Sequence, residues 1–156
     1  MPPTIVITMG DPAGIGPEII IKALSLAEIY EICQPVVVGS ARVLEVALEF
    51  SRSPALIGKP KLNPITEIGK ARFKHGAIDI FDLANIDGER LKPGKVDPMC
   101  GKASFEYIKK GVEIVQSGAA KAMVTAPLCK KAMEEAGLSY PGHTELLAEL
   151  TGTRDF

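Results

Sequence analysis

The sequence predicts an α/β fold: three layers, α/β/α, around a largely parallel mixed sheet. Three observations carry this. Short apolar runs alternate with segments of helical spacing. Most of those runs are apolar throughout, the pattern of strands covered on both faces. They stop at Gly, Pro or Ser, where α/β chains turn from strand to helix.

Thr4 to Thr8 (TIVIT) is β-branched and ends at a Gly/Pro cluster, so it reads as a buried strand. Pro17 has the fixed φ favoured at a first helical position, and Glu18 suits the positive end of a helix dipole. Ile19, Ile20, Ala23, Leu24 and Ala27 continue that helix. Pro35 to Gly39 (PVVVG) is the second strand, and Ser40 is placed to cap a helix running through Phe50. Residues 51–76, rich in Pro, Gly and Lys, signal no structure clearly. Ile78 to Leu83 alternates as a strand, and residues 84–98 form a loop punctuated by Asp87-Gly88 and Pro93-Gly94. A long helix is predicted from near Gly101 to Ser117, with Phe105, Ile108, Val112 and Val115 on one stripe and Gly118 ending it. Ala122 to Thr125 (AMVT) reads as another buried strand, followed by helices near 128–136 and 144–150. The middle of the chain breaks the alternation, so some antiparallel pairing is expected there.

The 156 residues allow one domain, or one and part of a second. Eighteen basic against nineteen acidic residues leave no electrostatic footprint for nucleic acid or an anionic membrane. Trp is absent and aromatics are 5%, which argues against stacking platforms for bases. Cys33, Cys100 and Cys129 are odd in number, far apart and without zinc spacing, so free thiols in a cytoplasmic setting are expected. No apolar run approaches the roughly 18 residues of a membrane span, and no signal peptide is read at Met1-Pro2-Pro3-Thr4.

Three segments carry candidate chemistry. Gly10-Asp11-Pro12-Ala13-Gly14-Ile15-Gly16-Pro17-Glu18 lies between a strand and a helix, where α/β proteins place ligand loops. It lacks the third glycine of a dinucleotide fingerprint, and Asp11 and Glu18 place negative charge where a pyrophosphate would sit. Spacing alone leaves it open between a tight turn and a ligand loop. Thr125-Ala126-Pro127-Leu128-Cys129-Lys130 puts a hydroxyl at a strand end and a cation at a helix start, suited to an anionic substrate. Lys130 can equally be a solvated lysine beside Lys131. Cys129 has no adjacent base and reads as a buried, inert thiol. In Pro141-Gly142-His143-Thr144-Glu145, His143 can donate or accept a hydrogen bond near neutral pH. Thr144 can cap the helix beside amides able to hold an anion, or both can be ordinary helix-start residues. His75, in a Lys/Gly-rich stretch, reads as a solvated loop residue. Two separated histidines make no metal site.

Together, TMGDPAGIGPE (8–18), PGKVDPMCGKASFEYI (93–108), VTAPLCKKAMEEAG (124–137) and PGHTELLAELTG (141–152) resemble, in order, the amino-terminal portion of the 4-hydroxythreonine-4-phosphate dehydrogenase family. The resemblance spans nearly the whole chain. It implies a fold similar to the isocitrate/isopropylmalate dehydrogenase type, incomplete in this chain. Residues 1–156 would be the amino-terminal portion of a two-lobed dehydrogenase, with the remainder of the second lobe absent. It implies an NAD- or NADP-dependent, metal-assisted oxidation of 4-phosphooxy-threonine, with decarboxylation to 3-amino-2-oxopropyl phosphate, in pyridoxal phosphate (vitamin B6) biosynthesis by a homodimer. The family's substrate-binding His-Thr pair falls on His143 and Thr144. Asp11 and Lys130 lie in family motifs without an assigned role, and no catalytic or cofactor-binding residue is assigned. The divalent metal (Zn, Mg or Co) is expected to take its ligands beyond residue 156. This chain alone is therefore expected to be inactive. The alternatives are a non-catalytic phosphate- or nucleotide-binding module, or a relative acting on another phosphorylated hydroxy acid such as threonate or erythronate phosphate.

Overall fold

The computed structural model describes residues 1–50 and 60–153. Strand β1 (Thr4–Thr8) leads through a Gly/Pro loop into α1 (Gly16–Leu24) and then the short α2 (Ala27–Ile32). Strand β2 (Gln34–Gly39) is followed by α3 (Ala41–Phe50). Strands β3 (Lys61–Ile65) and β4 (Ala77–Asp82) flank a 3₁₀ turn, and α4 (Pro98–Gln116), β5 (Ala122–Thr125), α5 (Lys130–Glu135) and α6 (His143–Thr151) complete the order.

The five strands form one sheet in the order β3-β4-β2-β1-β5, with every neighbouring pair parallel. The antiparallel pairing expected in the middle is absent among the described strands. The buried Asp79 carboxylate on β4 is the physical reason. It accepts hydrogen bonds from Asn63 Nδ2 (2.6 Å) and from the backbone N–H groups of Arg72 (3.0 Å) and Phe73 (2.8 Å). It thereby pins a compact crossover between β3 and β4 in place of a hairpin. The part of the 51–76 segment covering 51–59 lies outside the described residues.

Helices α1 and α3 pack together over one face, and α4 lies across β1, β2 and β5 on the other, with α5 and α6 stacked on α4. The main core joins Val6, Val38, Ile78 and Ile80 of the sheet to Ile21, Leu44 and Tyr107 of the helices. A smaller core of Ile108, Met133 and Leu146 holds α4, α5 and α6 together.

Four local expectations are corrected. The first helix ends at Leu24, and extended backbone at Leu26 separates it from α2, so Ala27 belongs to the second helix. Ser40 does not cap α3: its Oγ is buried without a partner, and the Asp82 carboxylate accepts from Ala41 N–H instead (3.1 Å). Helix α4 starts a turn early at Pro98, because Asp97 caps it by accepting from Met99 N–H (2.7 Å) and Pro98 takes the first helical position. Strand β5 is an edge strand with β1 as its neighbour, so Val124 is 55% exposed where a buried strand was expected.

Candidate functional site

The chain leaves β1 toward β2 on one side, and from β4 it returns to β5 on the other. The crevice between the carboxyl ends of β1 and β5 is therefore a topological switch point, where open parallel sheets bind ligands. Two of the sequence motifs meet there.

Gly10 follows β1 with φ +71°, and a Cβ on it would lie 2.3 Å from the Pro127 carbonyl oxygen and 2.8 Å from that of Ala126. Only glycine lets the two loops approach this closely. Asp11 N–H donates to Pro127 O (2.9 Å), which ties the β1–α1 loop to the β5–α5 loop. The Asp11 carboxylate turns back to accept from Ala13 N–H (2.8 Å), and Gly14 N–H donates to Asp11 O (2.9 Å). The amides of Asp11, Ala13 and Gly14 are thus consumed within the protein. Burial raises the Asp11 carboxyl above its ordinary value; the Ala13 N–H opposes this and Asp97 adds to it.

Ser104 of α4, fully buried, closes the base of the crevice. Its Oγ lies 3.0 Å from Gly10 O and 2.9 Å from Cys100 O. Sequence reasoning missed this residue. Its signal was the set of small residues Gly101, Ser104 and Gly111 at helical spacing. Cys100 is buried beside it, its thiol pushed up to about 12 by burial and by Asp11 and Asp97. It is no nucleophile at neutral pH. Cys129 is half-buried, more open than expected.

His143 and Thr144 open α6, and the Ala126 carbonyl just past the end of β5 lies beside the His143 ring. Gly142 is the N-cap and no side chain caps the helix, so Thr144 stands exposed inside the first turn and does not cap it as expected. Glu145 Oε2 reaches back to within 3.5 Å of where a Gly142 Cβ would stand, so a carboxylate already occupies the positive end of the dipole. That leaves the side chains of His143 and Thr144, and not the helix amides, as the candidate ligand groups at this helix start. His143 Nε2 is enclosed and has no partner. Burial lowers the imidazole below its ordinary value while the Ala126 carbonyl beside the ring opposes that shift, so the ring is neutral at neutral pH.

Lys130 starts α5 and is exposed, like Lys131. His75 is remote: exposed as expected, it lies 2.9 Å from Ser25 O and edge-on to Tyr30. Among the described residues no three His, Cys, Asp or Glu side chains come together to hold a metal ion. The described residues therefore do not form the implied metal centre.

Residues 31–156 match the family model described as "Pyridoxal phosphate biosynthetic protein PdxA". A Clostridium botulinum protein named "Putative D-threonate 4-phosphate dehydrogenase" is 45% identical over 98% of this chain and 44% of its own length. The crystal structure of a 4-hydroxythreonine-4-phosphate dehydrogenase from Burkholderia phymatum superposes with a TM-score of 0.92 at 42% identity, over 99% of this chain and 45% of that one. A terephthalate 1,2-cis-dihydrodiol dehydrogenase from Burkholderia xenovorans is similar at TM-score 0.70 and 27% identity, over 97% of this chain and 41% of that one. The chain spans less than half the length of these relatives.

Proposed function

Because this chain belongs to the PdxA family, we propose that it forms one wall of the active site of a dehydrogenase acting on a 4-phosphorylated, four-carbon hydroxy acid. Two of the relatives above are named for 4-hydroxythreonine 4-phosphate and, with the qualifier "Putative", for D-threonate 4-phosphate. Both present a carboxylate, a phosphate and a secondary alcohol, and differ at the neighbouring amine or hydroxyl. The reading takes 4-phosphooxy-threonine as substrate and NAD or NADP as oxidant, in a homodimer. The bound nicotinamide supplies the hydride acceptor, and the oxidised β-keto acid loses CO₂.

The observation that carries this reading is His143 Nε2, enclosed without a partner in a ring that the Ala126 carbonyl borders. A buried polar atom left unpaired costs about 1–3 kcal/mol, and a substrate oxygen bonded there removes that cost. Neutral His143 can donate or accept according to its tautomer, and Thr144 follows it in the first turn of α6. Asp11 and Gly10 hold the facing wall. The glycine loop shapes the crevice, and the amides of Asp11, Ala13 and Gly14, bonded within the protein, are not free to hold a pyrophosphate.

His143→Ala in the full-length protein tests the assignment. Loss of a hydrogen bond to a charged group costs about 1.5–3 kcal/mol, so kcat/KM should fall roughly ten- to a hundredfold. A value within about twofold of the parent would sink it. Comparing 4-phosphooxy-threonine with D-threonate 4-phosphate under both NAD and NADP decides between the substrates. The 156-residue chain, verified by intact mass, is expected to reduce neither cofactor.

A further inference from the structure

The geometry points to Ser104 as a positioning residue: its hydroxyl, bonded to Gly10 O, fixes the β1–α1 loop against the Ala126–Pro127 peptide beside which the His143 ring lies. The inference rests on the reading of His143 as a substrate-binding residue. Ser104 has a single hydroxyl proton and two carbonyl oxygens within reach. Cys100 O, four residues back in α4, already receives the helix N–H of Ser104. Gly10 O lies past the end of β1 and accepts no backbone hydrogen bond outside regular elements among the described residues. The Ser104 proton therefore belongs to Gly10 O, which would otherwise be a buried, unsatisfied acceptor.

From Gly10 the constraint passes outward through short contacts. Asp11 N–H holds Pro127 O at 2.9 Å, and Ala126 N–H holds Thr8 O at 3.0 Å, so the Ala126–Pro127 peptide is clamped at both ends by the chain around Gly10. There is no slack, since even one added carbon on Gly10 would stand 2.3 Å from Pro127 O. The Ala126 carbonyl then borders the His143 ring. A shift of Gly10 is thus transmitted to the group against which the imidazole rests. Misplacement of a binding group by about 1 Å can cost a hundredfold in rate.

The test pairs Ser104→Ala with His143→Ala in the full-length protein. Two readouts are taken: kcat/KM with 4-phosphooxy-threonine, and the nitrogen resonances of the His143 ring by NMR. Ser104→Ala is expected to lower kcat/KM at least tenfold and to displace the His143 resonances, with a thermal midpoint still well above the assay temperature. Unchanged resonances overturn the inference whatever the activity does, because Ser104 would then not act through His143. If His143→Ala leaves kcat/KM within twofold, the functional reading fails, yet the resonances still report whether Ser104 positions the ring. If Ser104→Ala does not fold, Ser104→Cys replaces it, its thiol being a weak donor. A partial displacement of the resonances then supports the inference, and parent-like resonances overturn it.

Discussion

Gly101 lies inside α4 and is buried against α5. A Cβ built on it would stand 2.0 Å from Ala132 O, 2.2 Å from Ala132 C and 2.5 Å from Met133 N, where ordinary contact begins at 3.4 Å. All three atoms are main chain, so no side chain can swing aside to relieve the overlap. Gly101→Ala would push α5 away from α4 and open the small core of Ile108, Met133 and Leu146. In an unobstructed helix interior the same substitution gains about 0.8–1.0 kcal/mol. Overpacking a closed site costs typically about 1–3 kcal/mol, occasionally more. With overlap as close as 2.0 Å on rigid main chain the cost lies at the upper end of that range, about 3 kcal/mol, so the expected net loss is about 2 kcal/mol. Urea unfolding followed by circular dichroism measures it. Gly69→Ala is the control: nothing lies within 4 Å of its Cβ position, and the change should stay within about 0.5 kcal/mol. A Gly101→Ala protein as stable as the parent would refute the close helix contact.

Two further outcomes are expected. Burial raises the Asp11 carboxyl above its ordinary 3.8, so the stability it contributes is complete below that value and is lost as pH rises through the folded-state value. Asp11→Asn keeps an oxygen for Ala13 N–H and removes the buried charge, so its stability relative to the parent should grow from about pH 3 to pH 7; a pH-independent difference refutes this. At the sheet edge, exposed Ala122 and Val124 should make the 156-residue chain self-associate, and Val124→Lys should reduce that in sedimentation velocity. A parent chain that sediments as a monomer at every concentration counts against it.

What the sequence made legible here was chemistry carried by neighbours along the chain. TIVIT and PVVVG announce buried strands because their branched side chains suit both faces of a covered sheet, and they became β1 and β2. AMVT has the same local character, yet β5 is at the edge; its burial depends on how many strands flank it, and no short window encodes that. Ser40 has the right chemistry and place to cap α3, but Asp82, forty-one residues on from Ala41, takes the amide. The Asp97-Pro98 signal is present and local, but carrying the loop through residue 98 starts the helix near Gly101 and passes over it.

The candidate site divides along the same line. GDPAGIGPE and GHTE were visible because tight turns and helix starts need particular residues in fixed order. That they face each other follows only from the order of strands, which brings β5 back beside β1. Ser104 was hidden for a sharper reason. Within α4 it is one small residue in a buried stripe, indistinguishable from Gly101 or Gly111 by spacing. Its hydroxyl meets Gly10 O only across ninety-four residues, an acceptor that takes no backbone bond outside regular elements among the described residues. A buried serine on an apolar helix face therefore points to a loop whose backbone acceptor has outrun its strand. In parallel α/β folds such acceptors arise at the carboxyl ends of strands, where the ladder stops and ligands bind.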